Sequence, residues 1–266
     1  MNPIIITNGT LINSDSSLKA DILLSEGKIT ETGKLEFDQY PTAKIIDASG
    51  KYIFPGGIDP HVHLALPTPA GNSSDDFITG SRAALAGGTT GFIDFVTPRI
   101  NQSLVEALQQ RRTEASSALC KYNLHMGISG WNAETISQVE ECIVKENVQS
   151  FKAYLAYRET IGIDYLQLEE LMRCVAPHEK IVLVHCEDGE IISQLQQGFL
   201  KAGETHAGFH ARSHPAEAEI RAVDKVIEMA ARTNCPVYIV HVSTAGAAQS
   251  IKQAKASGIM VYAETC

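Results

Sequence analysis

Hydrophobic and polar positions divide the chain into two parts. Residues 1 to 52 contain short apolar runs broken by turn residues, as in "PIIITNGTLIN" and "ADILLSEGKITETG", which is typical of short strands joined by tight turns. From residue 53 onwards, apolar runs of strand length alternate with longer segments that carry apolar residues at helical spacing. This alternation indicates repeated βα units on a parallel sheet. We therefore predict an N-terminal part of a small β-sandwich module over 1–52 and an α/β domain over 53–266.

The second part predicts seven strands. They are expected at about 53–63, 89–97, 121–129, 149–157, 180–186, 236–243 and 259–265. The segments between them, such as "QSLVEALQQRRTEASSAL" and "PAEAEIRAVDKVIEMAART", predict seven helices. A TIM-like (β/α)₈ barrel needs an eighth strand to close. The pattern therefore predicts a barrel of this type that is truncated after about seven strands, with an open edge between the first and the seventh.

Four histidines fall at the predicted ends of strands. "GGIDPHVHLALP" places His61 and His63 two residues apart, so that both side chains point to the same face of a strand. "KIVLVHCED" and "PVYIVHVST" each end an apolar run with a histidine, His185 and His241. In a βα barrel the carboxyl ends of the strands form the catalytic face. The pattern favours a metal site over the alternative of four unrelated core histidines.

A lysine lies within the fourth predicted strand. "QSFKAYLAY" surrounds Lys152 with apolar and aromatic residues, and lysine is rarely buried without a partner. On the inner face of the barrel its ammonium would lie among metal-binding histidines and be repelled. Reaction with carbon dioxide would remove this conflict, because a carbamate is an anionic oxygen ligand that can bridge two metals. The alternative is a lysine whose ammonium reaches the rim.

Composition narrows the classes of partner. The 22 basic and 31 acidic residues give a net charge of -9, and no basic run is longer than Arg111-Arg112, which argues against a nucleic-acid or anionic-membrane surface. The sequence has no signal-peptide pattern and no apolar stretch long enough to span a bilayer, so we expect a cytoplasmic protein. Its six cysteines are widely spaced, which fits reduced thiols. The expected partners are small molecules and other protein subunits.

Together with "SSDDFITGSRAALAGGTTGFIDF", "HAGFHARSHPAEAEIRAV" and "VYAETC", these segments resemble the dihydropyrimidinase/D-hydantoinase family of cyclic amidohydrolases over nearly the whole chain. The resemblance implies two divalent metal ions, with zinc as the expected metal, and a homo-oligomer, either a dimer or a tetramer. It assigns His61 and His63 to one metal and His185 and His241 to the other. Lys152 matches the carboxylated lysine (N6-carboxylysine) that bridges both.

The resemblance also implies a reaction. A hydroxide that bridges the two metals would hydrolyse the cyclic amide bond of dihydropyrimidines or 5-substituted hydantoins to N-carbamoyl amino acids. Tyr157 matches the tyrosine that stabilises the oxyanion. Its parity along the strand is opposite to that of Lys152, so the strand must bend or end between the two. Acidic residues beside the histidines, Asp59, Glu187 and Asp188, are candidates for orienting their rings.

Three alternatives stay open at this point. Dihydroorotases hold an acidic substrate with an arginine after the histidine pair, whereas "LALPTPAG" carries no cation and favours a ring without a carboxylate. A dihydroorotase- or allantoinase-like enzyme is thus disfavoured, but it stays open as the first alternative. A non-catalytic dihydropyrimidinase-related scaffold and a metal-free barrel are the others, and both are disfavoured by the presence of all five ligands. The family's further aspartate ligand falls beyond Cys266, so we expect the first metal to bind more weakly than the second.

The other five histidines are expected to lie outside the ligand set. They are His125, His178, His206, His210 and His214.

Overall fold

A computed structural model describes residues 2–68, 71–157 and 160–266. The chain forms two compact units, Met1–Gly57 with Gly88–Thr90, and Ile58–Gly87 with Gly91–Cys266. The domain boundary between residues 52 and 53 stays a prediction. No described helix is both long enough and apolar enough to cross a membrane.

The first unit consists of short strands. They are β1 (Ile4–Thr7), β2 (Thr10–Ile12), β3 (Ser17–Lys19), β4 (Asp21–Ser25), β5 (Lys28–Gly33), β6 (Lys44–Asp47) and β7 (Tyr52–Ile53), with a 3₁₀ turn at Phe37–Gln39. They form one sheet of order β5-β4-β1-β6 and another of order β3-β2-β7. Alternate residues of a strand face opposite sides, and Ile5 of β1 packs with Leu23 and Leu35 in the core of this unit.

The second unit contains a seven-stranded sheet. Its strands and two short neighbours are β8 (Gly57–Val62), β9 (Pro67–Thr68), β10 (Gly71–Asn72), β11 (Thr89–Val96), β12 (Lys121–Gly127), β13 (Ser150–Tyr154), β14 (Ile181–His185), β15 (Val237–Ile239) and β16 (Val261–Ala263). The order is β16-β15-β14-β13-β12-β11-β8, and β9 and β10 form a separate antiparallel pair. The strand pairs from β11 to β16 are parallel. The prediction of seven strands in an open TIM-like barrel is therefore confirmed, with β8 and β16 as the end strands of the described sheet.

Helices connect these strands. They are α1 (Phe77–Ala86), α2 (Leu104–Ala115), α3 (Thr135–Val144), α4 (Tyr165–Val175), α5 (Gly189–Lys201), α6 (Gly208–Ser213), α7 (Ala216–Thr233) and α8 (Ala245–Ala256), with a 3₁₀ turn at Ala176–His178. Capping boxes start α1 at Asp76 and α4 at Asp164. The seven predicted helices are present, and α6 was missed because six residues are too few to show a helical period.

The two faces of the sheet bury different residues. Val182 and Val184 of β14 pack in the large core that also contains α4 residues such as Leu171. Leu183, between them, packs on the inner face with Phe95. Because both faces are packed, the register of the strands is fixed. The candidate site lies at the carboxyl ends of these strands.

Candidate active site

The first histidine pair, His61 and His63, lies at the end of β8. Their Nε2 atoms are 3.2 Å apart, and their ring centroids lie 4.7 and 4.6 Å from that of Phe95. Two zinc–nitrogen bonds of about 2.0 to 2.1 Å at a near-tetrahedral angle separate the nitrogens by roughly 3.3 Å. The spacing of this pair therefore suits two ligands of one metal ion.

The second histidine pair lies on the two strands that follow β13 in the sheet, with His185 at the end of β14 and His241 two residues beyond the end of β15. Nδ1 of His185 is 2.9 Å from Nε2 of His241. His241 has a φ of 43°, an uncommon backbone conformation for a residue other than glycine. The ring centroids of His61 and His241 are 5.9 Å apart, so the two pairs form one cluster.

Lys152 is buried in the barrel interior, with 1% of its surface exposed. Its Nζ has no hydrogen-bond partner among the described residues, and it lies 5.6 and 5.2 Å from the ring centroids of Phe95 and Tyr154. The alternative of an ammonium at the rim is therefore wrong for this structure. Burial lowers the pKa of Lys152 to about 7, although the Cys186 thiol and Glu264 raise it slightly. A buried amine without a partner is costly, and this orphaned donor indicates that a further group belongs beside it.

The electrostatics of the cluster favour a cation bound by neutral imidazoles. Burial is the main cause that lowers the pKa of His63 and of His241 to about 4, and the charges of the neighbouring histidine and Lys152 lower it further. Neutral imidazole is the form that binds metals. Among the described residues, no group of three His, Cys, Asp or Glu side chains forms a metal site. Each pair presents two imidazole rings, and Lys152 lies close enough to act electrostatically on His63 and His241.

Glu187 connects His185 of the second histidine pair to His214, a contact that the sequence did not indicate. Its carboxylate lies 2.7 Å from Nε2 of His185 and 3.0 Å from Nδ1 of His214. Burial raises the pKa of Glu187, but the hydrogen bonds from the two histidines outweigh it and lower the pKa to about 2. An ionised carboxylate accepts Nε2–H from His185, which leaves the lone pair on Nδ1 facing His241.

The other two acidic candidates do not contact the rings. Asp188 accepts hydrogen bonds from the Tyr165 hydroxyl and from the first turn of α5, because it is the N-cap of that helix. Asp59 is exposed and accepts a hydrogen bond from the backbone N–H of His61. Of the three candidates for orienting the rings, Glu187 alone contacts a ring of the cluster in this structure.

Tyr157 reaches the cluster because the strand ends before it. β13 stops at Tyr154, and Tyr157 has a φ of 60°, so strand parity no longer applies. Its ring centroid is 5.4 Å from that of His185. Burial raises the pKa of Tyr157, and the charge of Glu187 adds to this. The phenol is therefore protonated at neutral pH and can donate a hydrogen bond.

Glu264 is a second residue that the sequence did not indicate. It follows β16, contacts Nδ1 of His61 through its carboxylate, and accepts a hydrogen bond of 3.0 Å from the Tyr238 hydroxyl. Its position just after a strand was the available signal.

Of the remaining histidines, His125 is buried and bonded to the Ser150 hydroxyl and the Pro60 carbonyl. Those that are exposed are His178, His206 and His210.

Comparison with known proteins adds an independent observation. Residues 52–265 match the model of the Amidohydrolase family. Dihydropyrimidinase 1 of Caenorhabditis elegans is 38% identical over an alignment of 266 residues, and this alignment covers 98% of this chain and 54% of the relative. D-hydantoinase of Geobacillus stearothermophilus is 34% identical over 263 residues, with 98% and 55% covered.

Solved structures give the same result. The dihydropyrimidinase from Brevibacillus agri NCHU1002 superposes with a TM-score of 0.94 at 34% identity, covering 99% of this chain and 57% of that one. The D-hydantoinase from Thermus sp. has a TM-score of 0.93 at 37% identity, covering 98% and 57%. This chain therefore spans about half the length of the proteins that it matches.

Proposed function

Because the chain belongs to the amidohydrolase family, we propose that it carries the metal-binding part of a cyclic amidohydrolase. The proposed substrates are dihydropyrimidines or 5-substituted hydantoins, and the products are N-carbamoyl amino acids. The observation that carries the proposal is the convergence of the two histidine pairs in one cluster, with the buried amine of Lys152 in the same interior, where no described residue is its hydrogen-bond partner. The relatives named dihydropyrimidinase and D-hydantoinase support the choice of substrate class.

The residues of the cluster fit two divalent metal ions, with zinc as the proposed metal. His61 and His63 would hold the first ion, His185 and His241 the second, and carboxylated Lys152 would contact both. When bound, the metals would polarise the ring carbonyl and increase the acidity of water at neutral pH. Glu187 would keep Nδ1 of His185 available by accepting its Nε2–H.

Carboxylation of Lys152 balances the charge of the cluster. The lone pair of the neutral amine attacks the carbon of carbon dioxide and forms an N–C bond, one C=O π bond opens so that its electron pair moves to oxygen, and the amine loses one N–H proton to solvent. The product carries a negative charge where the ammonium carried a positive one. A bare ammonium would be repelled by divalent ions, whereas the anionic oxygens of a carbamate would be attracted to them.

Tyr157 would act on the carbonyl oxygen of the substrate. Its protonated hydroxyl can donate a hydrogen bond to this oxygen as negative charge develops there during attack on the amide carbon. The raised pKa of Tyr157 supports this role, because a donor must keep its proton.

The loop after the first histidine pair bears on the substrate class. Residues 69 and 70 of "LALPTPAG" lie outside the described residues, and the sequence of this loop contains no lysine or arginine. We infer a neutral ring as substrate instead of the acidic ring of a dihydroorotase. A cytoplasmic location and a homo-oligomer, either dimer or tetramer, are part of the same proposal.

Zinc titration of the purified chain followed by a hydrolysis assay tests this function. We expect zinc binding, and release of N-carbamoyl-β-alanine from dihydrouracil or of an N-carbamoyl amino acid from a 5-substituted hydantoin. Absence of zinc binding would contradict the metal centre. Zinc binding together with hydrolysis of dihydroorotate instead of these neutral rings would contradict the substrate class.

A further inference from the structure

A buried ion pair lies directly behind the first histidine pair. Asp94 of β11 is fully buried and Arg111 of α2 is 8% exposed. Nη2 and Nε of Arg111 donate hydrogen bonds of 2.6 and 3.2 Å to Oδ1 of Asp94. The next residue of β11 is Phe95, which contacts the rings of His61 and His63 on the other face of the strand. One short stretch of β11 therefore touches the histidines with one side chain and the ion pair with the next.

Both backbone groups of Leu64 are bound by this ion pair. The N–H of Leu64 donates a hydrogen bond of 2.8 Å to Oδ2 of Asp94, and its carbonyl accepts a hydrogen bond from Nη2 of Arg111. This N–H belongs to the peptide bond between His63 and Leu64. The charge-assisted bonds thus act on the backbone immediately after the second histidine of the pair.

The backbone after Leu64 requires such a restraint. Ala65 has a φ of 46°, a left-handed conformation that is unfavourable for a residue with a side chain and persists only where its surroundings enforce it. Without the ion pair, the turn can relax and the backbone of His63 can move with it. A small displacement of the His63 backbone would change the distance between Nε2 of His61 and Nε2 of His63, and with it their ability to bind one metal.

We propose that Asp94 and Arg111 are positioning residues that fix the peptide between His63 and Leu64 and so hold the first histidine pair at ligand spacing. The consequence for metal binding rests on the proposed function, whereas the restraint on the peptide does not. Arg111 is suited to this task because its guanidinium reaches the carboxylate and the carbonyl at once. A lysine offers one point charge, so Arg111→Lys should restore part of the effect.

The first test uses metal-free protein. Hydrogen exchange of the Leu64 amide is expected to become at least about tenfold faster in Arg111→Gln, and Arg111→Lys should fall between this variant and the wild type. Arg112→Gln is the matched control, because Arg112 is the next residue of α2 and pairs instead with Glu146. Unchanged exchange at Leu64 in Arg111→Gln, or an equal increase in the control, overturns the restraint.

The second test separates positioning from general destabilisation by using two backgrounds. In His241→Asn, which leaves the first histidine pair, Arg111→Gln is expected to weaken zinc binding about 10- to 100-fold. In His61→Asn, which leaves the second pair, the same substitution should change zinc affinity little. An equal loss in both backgrounds shows a merely structural role and overturns the proposal. If the wild type binds no zinc, the proposed function fails, and the exchange of the Leu64 amide still decides the restraint.

Discussion

Nδ1 of His185 and Nε2 of His241 lie 2.9 Å apart although 56 positions separate the two residues along the chain. Their strands are parallel neighbours, with Val184 in register with Ile239. Since neighbouring parallel strands end at the same edge of a sheet, two similar apolar runs that each end in histidine bring these rings together.

Removing one histidine of a pair should remove one metal. For His241→Asn we expect the zinc content to fall from two ions per chain to one, because the second pair loses one of its two imidazoles. Metal analysis after dialysis against zinc buffer measures this number. His178→Asn is the control, because His178 is exposed, and an equal loss of zinc in that variant would contradict the assignment.

Lys152→Ala should abolish the two-metal state while the fold persists, because the substitution removes a proposed ligand. The carbamate itself can be observed by ¹³C NMR of wild-type protein supplied with zinc and ¹³C-labelled carbon dioxide. Its signal should require both additions, since the metals stabilise a group that otherwise decomposes. Two zinc ions bound beside an unmodified Lys152 would rule the bridging role out.

The stability of the metal-free protein should depend on pH through Lys152. Its pKa is lowered to about 7 in the folded protein, against about 10.4 in an unfolded chain. Between these pH values this lysine binds more protons in the unfolded chain, so its contribution to the free energy of unfolding should rise as the pH increases from about 7 to about 10.

Lys152→Met should remove this dependence and stabilise the protein at pH 7 by about 4 kcal/mol. Urea denaturation at two pH values in the presence of a chelator measures both effects. Lys252→Met is the control, because Lys252 is exposed. An equal pH dependence in wild type and Lys152→Met would show that another group is responsible.

Tyr157→Phe should lower kcat for ring opening about 100-fold and leave the zinc content unchanged, because the phenol donates to the developing oxyanion without holding a metal. Steady-state kinetics together with metal analysis separate the two roles. Tyr262→Phe on β16 changes an exposed tyrosine and should leave kcat unchanged. Full activity of Tyr157→Phe would exclude the proposed hydrogen bond.

The end strands β8 and β16 should cause self-association. Each has a strand neighbour on one side in the described sheet, and an open edge presents backbone donors and acceptors to other chains. Sedimentation velocity should therefore show species that grow with concentration. Ile58→Lys places a charge on β8, where Ile58 is 72% exposed, and should reduce association. A monodisperse monomer at all concentrations would contradict this expectation.

Much of the site follows from local patterns. The period of two in a strand places His61 and His63 on one face, and it places Lys152 on the inner face with Tyr154. The end of an apolar run marks the carboxyl end of a strand, which is where His185 lies. These features need only the neighbouring residues to be recognised.

Tertiary structure decided the contacts that join distant segments. Glu187 with His214, Glu264 with His61, and the Asp94–Arg111 pair with Leu64 depend on where loops and helices pack. Sequence periodicity ends where a strand ends, and the direction of a side chain beyond that point depends on the local φ and ψ. The orientations of Tyr157 and His241, both at positive φ, are therefore set by the folded backbone, because no strand or helix period extends to them.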